Sequence, residues 1–166
     1  MIHKRHDSRL GELERIVSRE QDRLFRFAYM RIGNRQDAED IVQDVFLKLF
    51  RSEDRLSGVH RMENYLFRSI HNSCLDYLRR KKYSLLPEGE AAGEPAPGDR
   101  RMHEEYLRIN ALLNQIPAEQ AEIVRLRCID GMKFRDIARL LGIPVPTAQS
   151  RYRYGIGHIR NIIVKQ

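Results

Sequence analysis

Asp37-Ala38-Glu39-Asp40-Ile41-Val42-Gln43-Asp44-Val45-Phe46-Leu47-Lys48-Leu49-Phe50 runs without a glycine or proline, and its apolar residues recur at helical rather than strand spacing. At about 100° per residue, Ala38, Ile41, Val42, Val45 and Leu49 fall on one face. Asp37, Asp40 and Asp44 fall on the opposite side with Gln43 beside them. Asn34 stands where an N-cap is needed, and acids in the first turn suit the helix dipole. One face is built for a core; the other offers carboxylates and an amide to something outside.

Three readings of that acidic face compete. A solvated helix surface is the commonest use of such a pattern. A carboxylate metal site would need oxygen ligands converging from several elements, and no matching acidic run occurs elsewhere. A docking surface for a basic partner fits as well, and spacing alone does not choose among the three.

The chain of 166 residues allows one ordinary domain or two small ones. It has 30 Lys and Arg against 23 acids, a net charge of +7, which favours an anionic partner. Residues 1–83 carry net +5, residues 84–103 net −2 and residues 104–166 net +4, so two basic blocks flank an acidic connector. Cys74 and Cys128 each sit in a helical pattern outside any Cys-x-x-Cys or Cys/His cluster, and are expected as buried, reduced thiols. His3 and His6 form a stray pair rather than a metal site. No apolar run approaches the ~18 residues of a membrane span, and no apolar core follows the charged start. A cytoplasmic protein without cofactor, metal or catalytic residues is expected.

Upstream, residues 1–10 are polar and expected to fray. From Glu12 to Ile32, Leu13, Ile16, Val17, Leu24, Phe25, Phe27 and Ala28 describe a long helix ended by Gly33-Asn34. Downstream, Arg51 to Arg61 lacks periodicity and reads as a loop. A third helix is predicted from about Glu63 to Tyr83, with Tyr65, Leu66, Ile70, Cys74, Leu75 and Leu78 as its apolar stripe. It ends in Arg79-Arg80-Lys81-Lys82, more cations than a helix dipole requires. With Arg68, Asn72 and Tyr77 they suit a phosphate-tracking surface interleaved with an aromatic.

Ser84 to Asp99 holds three prolines and three glycines, too little apolar surface to fold, and reads as a flexible linker. Helices are then expected at Glu104 to Gln115, from Pro117 to Ile129 and from Lys133 to Leu141, with a final helix from Thr147. The last pair forms a helix-turn-helix pattern. Ala138 lets the helices approach, Gly142 supplies a left-handed turn, and Thr147, Gln149, Ser150, Arg151 and Arg153 place donors near the start of the last helix. Together these favour DNA over a plain helical corner.

Gly33-Asn-Arg-Gln-Asp-Ala-Glu-Asp-Ile-Val-Gln-Asp-Val-Phe46 resembles the core-polymerase-binding segment of sigma-70-family factors, above all their small extracytoplasmic-function (ECF) group. Arg61-Met-Glu-Asn-Tyr-Leu-Phe-Arg-Ser-Ile-His-Asn-Ser-Cys-Leu-Asp-Tyr-Leu-Arg-Arg80 is similar to the family's −10-reading helix, and Ile116 to Ile143 to its region 4. The resemblance implies an all-α fold of two small domains: a region-2 helical bundle at 10–83 and a region-4 helix-turn-helix at 104–166, joined by a flexible linker at 84–103. It implies polymerase contacts at Asp40, Gln43 and Asp44, with Asp37 and Glu39 nearby. For the −10 element it implies Arg61, Arg68, Asn72, Tyr77, Arg79, Arg80, Lys81 and Lys82, with base capture in the Arg51–Arg61 loop. For the −35 element it implies Arg127, Thr147, Gln149, Ser150, Arg151, Arg153 and Tyr154. The partners implied are core RNA polymerase (its β′ clamp helices and β flap), promoter DNA and an anti-sigma factor able to hold the protein at the membrane.

The last helix departs from the family pattern. Gln149 stands where a cation is usual, and Tyr154, Ile156, Gly157 and His158 where basic residues are common. Pro144 replaces a frequent capping Ser. Gly155 and Gly157 would each cost about 1 kcal/mol relative to Ala within a helix, so the helix is expected to fray beyond about Tyr154. Two other functions are weighed beside the family's: a helix-turn-helix regulator independent of polymerase, and, more distantly, a metal-dependent enzyme using the acids at 37–44.

Overall fold

The computed structural model describes residues 2–52, 59–84 and 94–166, with side chains described for 8–52, 62–84 and 94–166. Seven helices and no strand occur among the described residues: α1 Ile2–Ile32, α2 Arg35–Arg51, α3 Val59–Tyr83, α4 Arg100–Leu113, α5 Ala118–Val124, α6 Phe134–Leu141 and α7 Val145–Val164. They divide into two compact units, residues 1–100 and 101–166.

In the first unit, α1, α2 and α3 pack on one another. Buried Leu13, Ile16, Leu24, Phe27 and Ala28 of α1 share a core with Ala38, Val42, Val45 and Leu49 of α2 and with Met62, Leu66, Phe67, Ile70 and Cys74 of α3. Phe27 and Phe67 meet edge to face at 5.4 Å, the geometry the ring quadrupoles favour. Gly33 adopts φ 74° and ends α1, its N–H reaching Tyr29 O at 2.8 Å. Asn34 then caps α2, Oδ1 accepting from Asp37 N–H at 3.0 Å. The organising helix thus begins where the sequence places it.

Three expectations for this unit change. α1 is helical from Ile2, since no proline interrupts it before the core-facing stripe begins at Leu13. α3 starts at Val59, while residues 53–58 of the expected loop lie outside the described residues. Leu75 and Leu78 are exposed, by 49% and 38%: at about 100° per residue Leu75 falls on the solvent face with Arg68 and Asn72, about half a turn from buried Leu66, and Leu78 lies at the edge of the buried stripe.

In the second unit, Leu113, Ile116 and Val124 form a core, against which Ile109, Ala121, Tyr152, Ile156, Ile159 and Ile162 pack. Arg125 donates to Asn110 Oδ1 at 2.8 Å, pinning α5 to α4. α5 continues into a wider π-type turn, Arg125–Ile129. This turn changes which side chains face inward: Ile123, Val124 and Leu126 are buried, whereas Cys128 is exposed, not buried as expected.

Gly142 has φ 65° and ψ 37°, the left-handed conformation foreseen for the turn, and Ile143 N–H bonds Ala138 O at 3.0 Å. α7 then runs unbroken to Val164. It does not stop near Tyr154, because Gly155 is itself buried against α5 and Ile156, Ile159 and Ile162 pack on the core. Tertiary burial outweighs the weak propensity of the two glycines.

Candidate nucleic-acid interface and acidic docking face

The exposed arc of α2 follows from its buried one. Ala38, Val42, Val45 and Leu49 point inward, leaving Arg35, Gln36, Asp40, Gln43, Asp44 and Leu47 outward. Within that arc the acids divide into two groups. Asp37, half-buried, accepts the Tyr77 hydroxyl through Oδ2 at 2.6 Å. Glu39 accepts from Arg35 Nη1 at 2.9 Å. Among the described residues, Asp40, Gln43 and Asp44 make no side-chain hydrogen bond or ion pair, and face solvent.

Arg35 brings in a residue that the sequence reading left in the linker. Its Nε and Nη2 donate to Asp99 Oδ2 and Oδ1 at 2.7 and 2.6 Å, and its guanidinium lies over the Phe25 ring at 4.8 Å. The Asp99 side chain is only 11% exposed. Arg35 holds the Asp99 carboxyl below the usual carboxylate range through these hydrogen bonds, partly offset by desolvation. Asp99 is therefore anchored on α2. α4 begins at Arg100 rather than at Glu104. The pattern Pro97-Gly98-Asp99 ahead of a helical run is a turn-and-cap signal that could have revealed this. Residues 85–93 of the connector lie outside the described residues.

On α3, Arg68, Asn72 and Arg79 share one face at about 100° per residue, and all three are exposed. Exposed Arg80, Lys81 and Lys82 extend it toward the helix end, and exposed Leu75 adds apolar surface. Arg79 also pairs with Asp76 on the same helix. Tyr77 does not join them; it lies about half a turn away and is engaged by Asp37. The side chain of Arg61 lies outside the described residues.

In the second unit, α7 presents Gln149 and Arg153 to solvent beside half-buried Thr147 and Ser150. The Arg153 guanidinium sits 5.6 Å from the Tyr154 ring, and Tyr154 is 59% exposed. Arg127 is occupied internally: Nη1 donates to Met132 O at 3.0 Å and the guanidinium lies over Phe134 at 5.1 Å. Phe134 in turn meets Tyr152 edge to face at 5.3 Å. Arg127 braces the corner that aims α7. The Cys128 thiol lies 3.7 Å from the Tyr152 hydroxyl; that hydrogen bond, with partial burial, pushes the phenol up from its ordinary value. Arg151 is paired to Glu119 at 3.2 Å.

Among the described residues, no group of three or more His, Cys, Asp or Glu could hold a metal ion, and no helix is long and apolar enough to cross a membrane. The arrangement offers an acidic arc and a cationic, partly apolar face on one unit, and a helix-turn-helix on the other.

Two family models match this chain: Sigma-70 region 2 over residues 16–83 and Sigma-70, region 4 over residues 106–156. The chain is 31% identical over 160 residues to the ECF RNA polymerase sigma factor SigE of Mycolicibacterium smegmatis, with 92% of this chain and 62% of that one covered. It is 25% identical to the ECF RNA polymerase sigma factor SigW of Bacillus subtilis, with 84% and 82% covered. Among solved structures it is similar to CnrH in complex with the cytosolic domain of CnrY, at 21% identity and a TM-score of 0.70, with 93% of this chain and 88% of that one covered. It is also similar to the sigma factor RpoE of Bartonella quintana in complex with the anti-sigma factor NepR, at 20% identity and a TM-score of 0.61, with 92% and 94% covered. At those identities the two structures speak for the fold.

Proposed function

We propose, from the fact that this chain belongs to the sigma-70 family of RNA polymerase sigma factors, in its extracytoplasmic-function group, that it directs core polymerase to promoters by dividing the work among three surfaces. Asp40, Gln43 and Asp44 of α2 hold the polymerase at its β′ clamp helices. The cationic face of α3, with Arg68, Asn72, Arg79, Arg80, Lys81 and Lys82, tracks the −10 region. The exposed face of α7, with Thr147, Gln149, Ser150, Arg153 and Tyr154, enters the −35 major groove. No bond is made or broken; the product of the protein's action is a positioned polymerase.

The observation that carries this reading is the division among the α2 acids. A structural acid has a partner inside its own chain, as Asp37 and Glu39 do. Asp40, Gln43 and Asp44 have none among the described residues, and they lie on one solvent-facing arc. Carboxylates held apart from their own chain's cations retain their full charge for a basic partner, where complementarity supplies orientation and on-rate.

On the DNA side, the cations at the end of α3 supply the sequence-independent phosphate term. Base edges are left to α7, where Gln149 has the two-pronged amide that matches adenine. Regulation by an anti-sigma factor belongs to the same proposal, supported by the similarity to RpoE, which was solved bound to one. So does a cytoplasmic location.

The test is transcription in vitro with core polymerase and this protein on a promoter library. Enrichment of templates sharing two spaced elements is the expected result. Unchanged initiation on adding the protein, at concentrations where it binds core, would overturn the proposal.

A further inference from the structure

The α5 side of α7 is packed more tightly than its solvent side. Arg151 Nη2 lies 3.2 Å from Glu119 Oε2, and His158 Nδ1 lies 2.7 Å from Gln120 Oε1. Between them Gly155 abuts α5 so closely that a Cβ there would stand 2.8 Å from Val124 Cγ2. At about 100° per residue, Arg151 and His158 lie on the flank of α7 between the buried stripe and exposed Tyr154, the opposite flank from Gln149 and Arg153. The side chain of Arg151 is 31% exposed, and that of Glu119, on the first turn of α5, is 72% exposed. An exposed acid thus stands beside the helix that faces DNA and engages one of its cations.

We infer that Glu119 sets the DNA affinity of the second unit by occupying Arg151, so that a DNA phosphate must displace this carboxylate before Arg151 can contact the backbone. The inference rests on α7 facing DNA. An ion pair this exposed is weak, so a duplex displaces it rather than being excluded by it. The displaced carboxylate stays near the backbone and repels it, and one phosphate neutralisation is largely cancelled. That term is independent of sequence, because it concerns phosphates and not base edges.

The consequence fits a specificity subunit. A reader delivered to its site by polymerase gains from high effective concentration and does not need tight autonomous binding. Strong phosphate affinity would instead scatter the free protein over non-promoter DNA. Glu119 keeps the isolated reader weak without altering the side chains on the exposed face of α7.

The test is fluorescence anisotropy of the full chain with a random-sequence duplex pool over a series of salt concentrations. Glu119→Gln should tighten binding about three- to tenfold and steepen the salt slope by about one phosphate equivalent; Glu119→Lys should tighten it further. In an Arg151→Ala background the gain from Glu119→Gln should shrink, since only the repulsion by the carboxylate is then relieved; an undiminished gain would overturn the inference. Unchanged affinity and slope in Glu119→Gln would overturn the inference, as would weaker binding, which would make Glu119 a support for Arg151. Arg153→Ala separates the two levels of the argument. If it weakens binding while Glu119→Gln has no effect, only the role of Glu119 fails; if it too has no effect, the DNA-facing reading of α7 fails with it.

Discussion

Tyr77 donates its hydroxyl to Asp37 at 2.6 Å, joining α3 to the start of α2. The sequence reading assigns these two residues to separate surfaces, one for DNA and one for polymerase, and the fold uses them on each other. A half-buried hydrogen bond to a carboxylate contributes about 1–2 kcal/mol. Tyr77→Phe keeps the ring and should lower stability by about that amount in chemical denaturation, with core affinity little changed. A variant as stable as the parent would show that the bond contributes nothing net.

Asp99 should make the end of the connector sensitive to acid. Its carboxyl is lowered by the hydrogen bonds from Arg35, so its contribution is present above the ordinary Asp range and is lost as pH falls through the lowered value. Release is thus expected below the ordinary Asp range, whereas Asp99→Asn should release the segment at neutral pH. Trypsin reports this directly, because residues 84–99 contain no Lys or Arg and Arg100 follows immediately. Cleavage after Arg100 and Arg101 should be several-fold faster in Asp99→Asn. Equal cleavage rates in parent and variant would mean that the pair does not hold the segment.

Asp40→Lys with Asp44→Lys should abolish binding to core polymerase through like-charge repulsion. The fold should survive, since both side chains are exposed and surface substitutions of this kind usually change stability by less than about 0.5 kcal/mol. Retention on immobilised core at moderate salt, with helicity followed by circular dichroism, tests both halves. A double variant that stays bound would remove α2 from the docking role.

The helices were legible because periodicity reports what a single helix buries. Ala38, Val42, Val45 and Leu49 could be assigned inward from spacing alone, and Gly142 could be assigned to a left-handed turn from its place between two helical patterns. Partners arriving from other elements were not legible. Nothing in the local pattern ties Asp37 to Tyr77, Arg35 to Asp99 or Arg151 to Glu119, because each pair is joined by packing between segments distant in sequence. Nor does the pattern show that Arg127, expected at DNA, is held by Met132 O and the Phe134 ring, which depends on how the corner closes. Cys128 was misplaced because a π-type turn breaks the 3.6-residue period on which the reading relies. The sequence reading places Leu75 in the apolar stripe of α3, yet at about 100° per residue it falls on the solvent face with Arg68 and Asn72, while Leu78 lies at the stripe's edge.

The two glycines of α7 carry the same intrinsic helix penalty and should respond oppositely to alanine. Both lie inside a continuous helix, so each substitution gains about 0.5–1 kcal/mol from helix propensity and a less flexible unfolded chain. At Gly157 nothing lies within 4 Å of an added Cβ, and that gain should appear whole. At Gly155 the added Cβ would meet Val124 Cγ2 at 2.8 Å, Gln120 Cβ at 3.3 Å and Gln120 O at 3.4 Å. Val124 is buried and β-branched, stiff about χ1, so relief requires α5 and α7 to move apart. Overpacking of this kind costs about 1–3 kcal/mol, which exceeds the gain. Gly157→Ala should therefore raise the melting temperature of the second unit and Gly155→Ala should lower it. The double variant should fall near the sum of the two single changes, since only one of the sites is crowded. A rise in both single variants would mean that α5 and α7 yield easily at this contact, and that Gly155 is not what allows their close approach.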